Sequence, residues 1–569
     1  MDFSKILKRF HISKYEIVLF VMLLFALALR LWLFALDWPL TNSDEGNMGI
    51  LAFNIAFKGE HPIFYYGQSY MGPAEGYLAA ILFHLFGSSL FVLRVSLLPF
   101  FVLFFICMYS LTRILHTKKY ALFSMLFFAF SGSTVLSWQL KAIGGYPEIG
   151  FYATAICLIV VWLALSSPSE TPRHFDVFRI IIYGVLGLII GIAMWVDLLI
   201  LPFVCLGFLF LLLFCRREVF SFPGLSLLLG LCVGLLPLII YNLHASYDQN
   251  SIVELLALQR GVSGPPRPFL AHVVGAVGMG LPAILSYSPA CGQETFPLFG
   301  KTDLACGLVE SAWGVGYLIL CAVVVGMSLS VVWKTWKNRA GSSLLAPEWT
   351  FEQRQVLIRA CAHLMIIVCS LGTLLLYLLS ATSANDPGPT NRYLMSIVIS
   401  IPTVLWPLWN GIRPWSVSAN WRKITGQVIR FSLLTLVVVM FVYGTCLIFI
   451  DQAPHAQQTY HDQIDVVDHL EALKENYVYA EYWTCADLIF LSNEKVICSV
   501  LDQNLHSGQN RYPPYQTMVA AAPHPTYIFL ANSAQSQAFE QAIAQKKFKT
   551  TYQISHLHGY VIYSPQTTH

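Results

Sequence analysis

The sequence predicts an all-α polytopic membrane protein of about eleven transmembrane helices, with interfacial helices in its first external loop and a small C-terminal extracytoplasmic α/β domain. Three observations carry this. The 569 residues are 56% hydrophobic and only 11% charged, with a mean hydropathy of +0.62; a soluble chain carries roughly 25% charged residues. Apolar runs of the length a bilayer demands, roughly 20 residues, recur up to Ile450. Beyond Ile450 the composition turns abruptly polar. The composition excludes a disordered chain, a fibre and a secreted disulfide scaffold. A net charge of +3, from 34 basic and 31 acidic residues, gives no reason to expect a nucleic-acid partner.

The apolar runs lie at 15–36, 89–112, 120–137, 149–165, 180–196, 198–214, 222–241, 312–332, 360–380, 393–410 and 431–450. Only the region of Asp197 separates the fifth from the sixth. Lysine and arginine set the direction, because cytoplasmic loops are enriched in them. With the N-terminus inside, the inside segments hold Lys5, Lys8, Arg9 and Lys14; Arg113, Lys118 and Lys119; Arg173 and Arg179; Arg216 and Arg217; Lys334, Lys337, Arg339, Arg354 and Arg359; Arg413, Arg422, Lys423 and Arg430. The outside loops hold only Lys58, Lys141, Arg260, Arg267, Lys301 and Arg392. The first run has no small-residue cleavage site and reads as an uncleaved helix. The expectation is a multi-pass protein of the plasma membrane with its N-terminus cytoplasmic and its C-terminus outside.

Residues 1–450 are expected to form the membrane domain, with a first external loop at 37–88, and residues 451–569 the α/β domain. In the latter, 476–483, 495–500 and 526–531 read as strands, 464–475 and 533–547 have helical spacing, and 552–563 is a hairpin turning at His558-Gly559. The domain shows no Gly-rich phosphate loop and no metal-ligand spacing. Four cysteines fall outside, in the pairs Cys291/Cys306 and Cys485/Cys498. An external face permits disulfides, and spacing leaves the pairing open.

The first external loop is long yet not polar. The segments 47–57 and 75–86 have helical length and many apolar residues but are too short to span, so they are expected to lie at the interface. Asp44 and Glu45 precede the first of them. They read either as ordinary first-turn acids behind a Ser43 cap, or as a glycosyl-acceptor site in which one carboxylate takes the acceptor's proton while its neighbour orients it. Arg94, at the start of the second span, reads as a snorkelling arginine or as a partner for those carboxylates or for a lipid phosphate. Arg30, in the outer half of the first span, is expected to snorkel.

At these residues the chain resembles the GT-C glycosyltransferases of the protein O-mannosyltransferase type, including the bacterial aminoarabinose transferase branch. The pieces are Asp44-Glu45, then Gly72-Pro73-Ala74-Glu75 with Leu85-Phe86-Gly87, then Leu93-Arg94; the stretch from Trp138 to Glu148 and the run Asn391-Arg392-Tyr393-Leu394 resemble later elements. The likeness covers roughly 15–410 and is densest over 40–95. It implies a GT-C-like fold and a polyprenyl-phosphate-linked sugar donor used outside the cytoplasm. It further implies Asp44 as catalytic base, Glu45 as support for the acceptor, and Arg94 as a functionally important arginine. The chain departs from the family's mannosyltransferases in carrying His61-Pro62-Ile63 where they have a His-Pro-Pro-like run. It also lacks their large lumenal insert.

On that footing the chemistry is an inverting single displacement by a hexosyl- or pentosyltransferase. The leaving group is a phosphate, stable as an anion, so one base and one cation suffice and no general acid is needed, unlike glycoside hydrolysis. The candidate cations for the donor phosphate are Arg94, Arg392 and Lys141; a guanidinium binds phosphate through two parallel hydrogen bonds. Glu75, Glu148 and Asp197 are the candidate acceptor or cavity acids. No metal-ligand cluster is visible, so no cofactor is expected. Arg511-Tyr512-Pro513-Pro514-Tyr515 is a stiff aromatic segment that reads as a surface loop leading into a helix, or as a cover over the membrane site. The acceptor is an envelope glycan, lipid or protein. The alternative is a transporter or lipid flippase for an envelope precursor, which would place ionisable groups near the bilayer midplane and show inverted repeats; neither is evident.

Overall fold

The computed structural model describes residues 13–167, 176–261, 266–338, 349–412, 421–548 and 550–566. Lys5, Lys8, Arg9, Arg173, Arg339 and Arg413, counted toward the orientation, lie outside them. Among the described residues, nine helices are long and apolar enough to cross a bilayer, and two bent pairs raise the number to eleven. The nine are Lys14–Ala35, Leu90–Leu115, Tyr146–Ser166, Val177–Val196, Leu198–Val219, Leu304–Lys337, Phe351–Leu379, Pro387–Asn410 and Ile424–Ala472. The expected runs at 120–137 and 222–241 are each broken: Lys118–Ala129 meets Ser133–Leu140 at 80°, and Phe222–Gly234 meets Leu236–His244 at 56°. Pro237 falls at the second break, where it lacks the amide that would continue the helix.

The first break explains a misplaced arginine. A bent helix in hydrocarbon frees carbonyls that need donors from the protein. Arg30 supplies them, so it does not snorkel: its side chain is fully buried. Nη2 donates to the Phe128 carbonyl at 2.9 Å and to Gln139 Oε1 at 3.2 Å, and Nη1 to Ala26 at 3.1 Å. The guanidinium stacks 3.6 Å over the Phe101 ring. Thr445, on the last span, exchanges hydrogen bonds of 3.0 and 2.9 Å with the backbone of Ser131 in the same break.

The two short helices of the first loop are Ser43–Lys58 and Ala74–Phe86. The cap of the first is Asn42, whose Oδ1 accepts from Glu45 N at 3.1 Å. Ser43, the expected cap, instead donates to the Tyr482 carbonyl. One apolar helix was not foreseen: Phe269–Ile284, packed in the membrane core with its middle in π conformation.

The C-terminal domain holds a five-stranded sheet of β1 (Tyr477–Ala480), β2 (Ile497–Val500), β3 (Thr526–Leu530), β4 (Tyr552–Leu557) and β5 (Tyr560–Pro565), in the order β2-β1-β3-β5-β4. β2, β1 and β3 are parallel; β5 pairs antiparallel with both β3 and β4. Residue 450 is no structural break, because the helix of the last span runs on to Ala472 and becomes the domain's first helix. Tyr482–Leu491, part of which was expected to be strand, is a helix. It is buried against both the sheet and Ser43–Lys58, and an element apolar on all sides shows no period to read. It lies so close to Ser43–Lys58 that a Cβ at Gly46 would stand 2.8 Å from the Ala486 carbonyl carbon, and one at Gly49 2.4 Å from the Phe490 ring. Lys58–Glu494 at 2.5 Å and Tyr512–Glu60 at 2.6 Å close the edges of this contact. Cys485 and Cys498 are bonded, tying the docking helix to β2, and Cys291 is bonded to Cys306 at the start of the span Leu304–Lys337.

Candidate active site around Asp44

Asp44 and Glu45 are adjacent in the first turn of a helix, so their side chains leave it about 100° apart. They meet different surroundings. Glu45 is fully buried and faces Arg94, which is 1% exposed. Arg94 Nε donates to Oε1 at 3.0 Å and Nη2 to Oε2 at 2.7 Å, a bidentate pair. The Ala142 amide donates to Oε1 at 3.1 Å. Arg94 spends its remaining reach on the carbonyls of Asp37 at 3.1 Å and Pro39 at 2.6 Å. Of the tasks foreseen for Arg94, the geometry realises the carboxylate partner: four of its five N–H groups go to Glu45 and to the two carbonyls. Glu45 does not present an exposed oxygen with which to orient an acceptor.

Asp44 points the other way. Arg511 Nη2 lies 2.6 Å from its Oδ1, the Tyr482 hydroxyl 3.3 Å from the same oxygen, and Arg392 Nη1 3.6 Å from Oδ2. The Arg511 Nε donates to the Tyr482 hydroxyl at 2.7 Å, and the Tyr65 hydroxyl donates to the Asp44 carbonyl. Arg392 opens the 3₁₀ stretch Asn391–Ser400 and sits among aromatic faces, 5.2 Å from the Tyr146 ring centre and 5.7 Å from those of Trp138 and Tyr393.

Trp138 also touches Lys141, whose Nζ lies 5.7 Å from its ring centre. Lys141 is 8% exposed, and burial lowers its pKa. It lines a cavity of about 430 Å³ together with Trp138, Asn391, Ser137, Thr134 and His455. Trp138 Nε1 donates to Asn391 Oδ1 at 2.7 Å, which fixes the indole between the cavity and Arg392.

The remaining candidates form a separate buried group. Glu75 Oε1 accepts from the Gly144 amide at 2.5 Å. Burial, reinforced by Glu148, pushes the Glu75 carboxyl well above the usual carboxylate range. Both Glu148 oxygens are buried beside Glu75. Asp197 accepts from Leu199 N at 2.9 Å, and burial raises its carboxyl from 3.8 to about 6. No hydrogen bond or ion pair among the described residues joins these three acids to Asp44. No three His, Cys, Asp or Glu side chains among the described residues converge on a metal position.

The raised Asp197 carboxyl has a thermodynamic consequence. The folded state holds this proton more tightly than the unfolded chain does, so the associated stability is present below pH 4 and lost as pH rises through about 6. Asp197→Asn keeps the acceptor for Leu199 N and removes the titration. Its thermal midpoint relative to wild type is therefore expected to be higher at pH 8 than at pH 4, in matched detergent melts; a pH-independent difference would contradict this.

Sequence reasoning offered Arg94 to both carboxylates; in the structure it pairs with Glu45, and Asp44 takes Arg511 and Arg392. Arg511, Tyr482 and Tyr65 complete its surroundings, and two of them come from the C-terminal domain. One signal was available: Arg511 is the only arginine after Arg430.

No protein-family model matches the chain. No curated protein matches it either. Solved structures do. ArnT from Cupriavidus metallidurans bound to undecaprenyl phosphate superposes with a TM-score of 0.52 at 11% identity, covering 96% of this chain and 97% of that one. The apo state of the same protein gives 0.50 at 12% identity, covering 95% and 97%. The oligosaccharyltransferase from Archaeoglobus fulgidus in its apo form gives 0.49 at 13% identity, covering 91% and 70%. At this identity the likeness to ArnT, an aminoarabinose transferase, establishes the fold alone: the described residues have a GT-C-like architecture.

Proposed function

We propose that this chain is a membrane glycosyltransferase that moves a sugar from a polyprenyl-phosphate-linked donor to an acceptor hydroxyl on the extracytoplasmic face, with Asp44 as the base. The observation that carries the reading is the juxtaposition of an Asp44 carboxylate and the Arg392 guanidinium beside a cavity lined by the buried Lys141. The match to a structure of ArnT that holds undecaprenyl phosphate supports it. In the transfer, the acceptor hydroxyl gives its proton to Asp44 as its oxygen bonds to the anomeric carbon. The bond from that carbon to the phosphate oxygen breaks, and its electron pair leaves with the polyprenyl phosphate. Attack from the side opposite the phosphate inverts the anomeric centre. Arg392 and Lys141 stabilise the charge gathering on the phosphate. Glu45 and Arg94 hold the first turn of the helix so that Asp44 keeps its direction. Glu75, Glu148 and Asp197, buried apart from Asp44, are assigned no direct part in the transfer. The sugar is a hexose or pentose, and the acceptor an envelope glycan, lipid or protein. The two disulfides accord with an external site, since they persist in oxidising compartments.

The test is sugar transfer by the purified chain in liposomes from a polyprenyl-phosphate sugar to envelope extracts. Absence of any transferred sugar across a panel of such donors would overturn the reading. Within it, Arg392→Ala is expected to weaken donor binding by about tenfold or more, through loss of charge-assisted hydrogen bonds. Arg392→Lys should restore only part, because an ammonium offers a point charge where a fork is needed. Unchanged donor affinity in Arg392→Ala would remove Arg392 from the site.

A further inference from the structure

The C-terminal domain reaches Asp44 through two side chains, Tyr482 and Arg511. Arg511 is 7% exposed, and its Nη2 is bonded to Asp44. Its Nη1 is buried with no hydrogen-bond partner, and so is Arg392 Nε on the opposite side of the same carboxylate. A buried guanidinium nitrogen without an acceptor is costly, because its desolvation goes uncompensated. Two guanidiniums thus share one carboxylate and retain unused donors. Lys141, close enough for its charge to be felt by Asp44, adds a third cation. Around Asp44 the positive charge is in excess, with unused N–H groups to receive an anion.

The aromatic walls make this a built site. Tyr65 and Tyr482 flank Arg511, with ring centres 5.0 and 5.7 Å from its guanidinium carbon, as Tyr146, Tyr393 and Trp138 flank Arg392. Packing of this kind holds both planar cations in place, so little ordering remains to be done when a planar or tetrahedral oxyanion arrives.

We propose that Arg511 and Arg392 are the two jaws of a phosphate clamp, and that a substrate phosphate competes with Asp44 for Arg511, leaving the carboxylate free to take the acceptor's proton. Arg511 is then a substrate-binding residue supplied by the C-terminal domain, and the docking of that domain through Gly46 and Gly49 positions it. The clamp rests on the glycosyltransferase reading for the identity of its occupant. The recognised chemistry is a phosphate ester, contributed either by the donor lipid or by a phosphorylated acceptor.

Competition gives opposite signs for two substitutions. Arg511→Ala removes one jaw, and the affinity for undecaprenyl phosphate, measured on the full chain in nanodiscs, is expected to fall about ten- to hundred-fold. Arg511→Lys should fall between wild type and Ala. Asp44→Asn removes the competing charge while leaving both arginines in place, so the same affinity is expected to rise severalfold. A role confined to docking the domain predicts otherwise: both substitutions would lower the melting temperature and leave the affinity flat or reduced. Because Asp44→Asn retains Arg511, it keeps the test open even where Arg511→Ala folds poorly.

Phenyl phosphate, which lacks the lipid, separates the sources. Binding of both probes with the predicted signs supports the clamp on the donor. Phenyl phosphate binding that depends on Arg511, with no binding of undecaprenyl phosphate, supports the clamp on a phosphorylated acceptor and counts against the lipid-donor reading. Wild-type binding of undecaprenyl phosphate that is insensitive to Arg511, or weakened by Asp44→Asn, overturns the clamp and leaves the reading standing. Binding of neither probe overturns the clamp.

Discussion

Asp44→Asn is expected to lower sugar transfer at least about 100-fold, the low end of what a positioned base contributes. The substitution preserves size and most hydrogen bonding. Its Oδ1 can still accept from Arg511 and Tyr482, so the site should remain assembled. What it loses is the ability to take the acceptor's proton. Transfer assays and binding of a polyprenyl-phosphate probe, run on the same purified variant, separate the chemical step from substrate capture. Turnover should collapse with the probe still bound. If Asp44 were only a first-turn acid favouring the helix dipole, the substitution would cost a few tenths to about 1 kcal/mol of stability and leave turnover nearly intact. A well-folded Asp44→Asn protein with near-normal transfer would remove the base from the mechanism.

Glu45→Gln is expected to fail differently. Sequence alone suggests a milder effect than at Asp44, on the premise of an acceptor-orienting carboxylate. In the structure, Glu45 is one half of a fully buried bidentate pair, and neutralising it strands the Arg94 guanidinium without its counter-charge. Breaking one side of such a pair costs about 3–5 kcal/mol, a large share of the roughly 5–15 kcal/mol that holds a typical domain. The variant should show a much lower melting temperature and poor yield. Turnover per folded molecule should fall far less than in Asp44→Asn. Removing both charges, as Glu45→Leu with Arg94→Met, is expected to recover part of the loss, since no unpaired charge remains. A Glu45→Gln protein that melts like wild type would show that Arg94 finds adequate partners in the Asp37 and Pro39 carbonyls alone.

The contrast between these neighbours shows where sequence reading reaches and where it stops. The spans were legible because a bilayer imposes one length and one composition on every helix that crosses it. The position of each run could therefore be read without knowing what it packs against. The same holds for the hairpin at His558-Gly559, where alternating residues flank a turn in αL geometry. The pattern Asp44-Glu45 to Arg94 was visible as an order of motifs, and the structure brings those three residues together at the start of one helix.

Which partner each of those residues meets was settled by contacts between segments far apart in the chain. Arg30 became a donor to broken-helix carbonyls because the run at 120–137 bends by 80°, and composition does not report a bend. Arg94 joined Glu45 and not Asp44, because an offset of one residue on a helix redirects a side chain by about 100°. Asp44 instead took a guanidinium 467 positions away. That pairing depends on Gly46 and Gly49 admitting the helix Tyr482–Leu491 at backbone contact, and on Arg511 being carried there by a domain with its own sheet. Periodicity and propensity are local properties. By themselves they determined that this chain is a multi-span membrane protein with an acidic pair on its first loop and a small α/β domain at its end. Which charges meet was decided by tertiary packing alone, because ion pairing depends on distance in space and sequence separation places no bound on it.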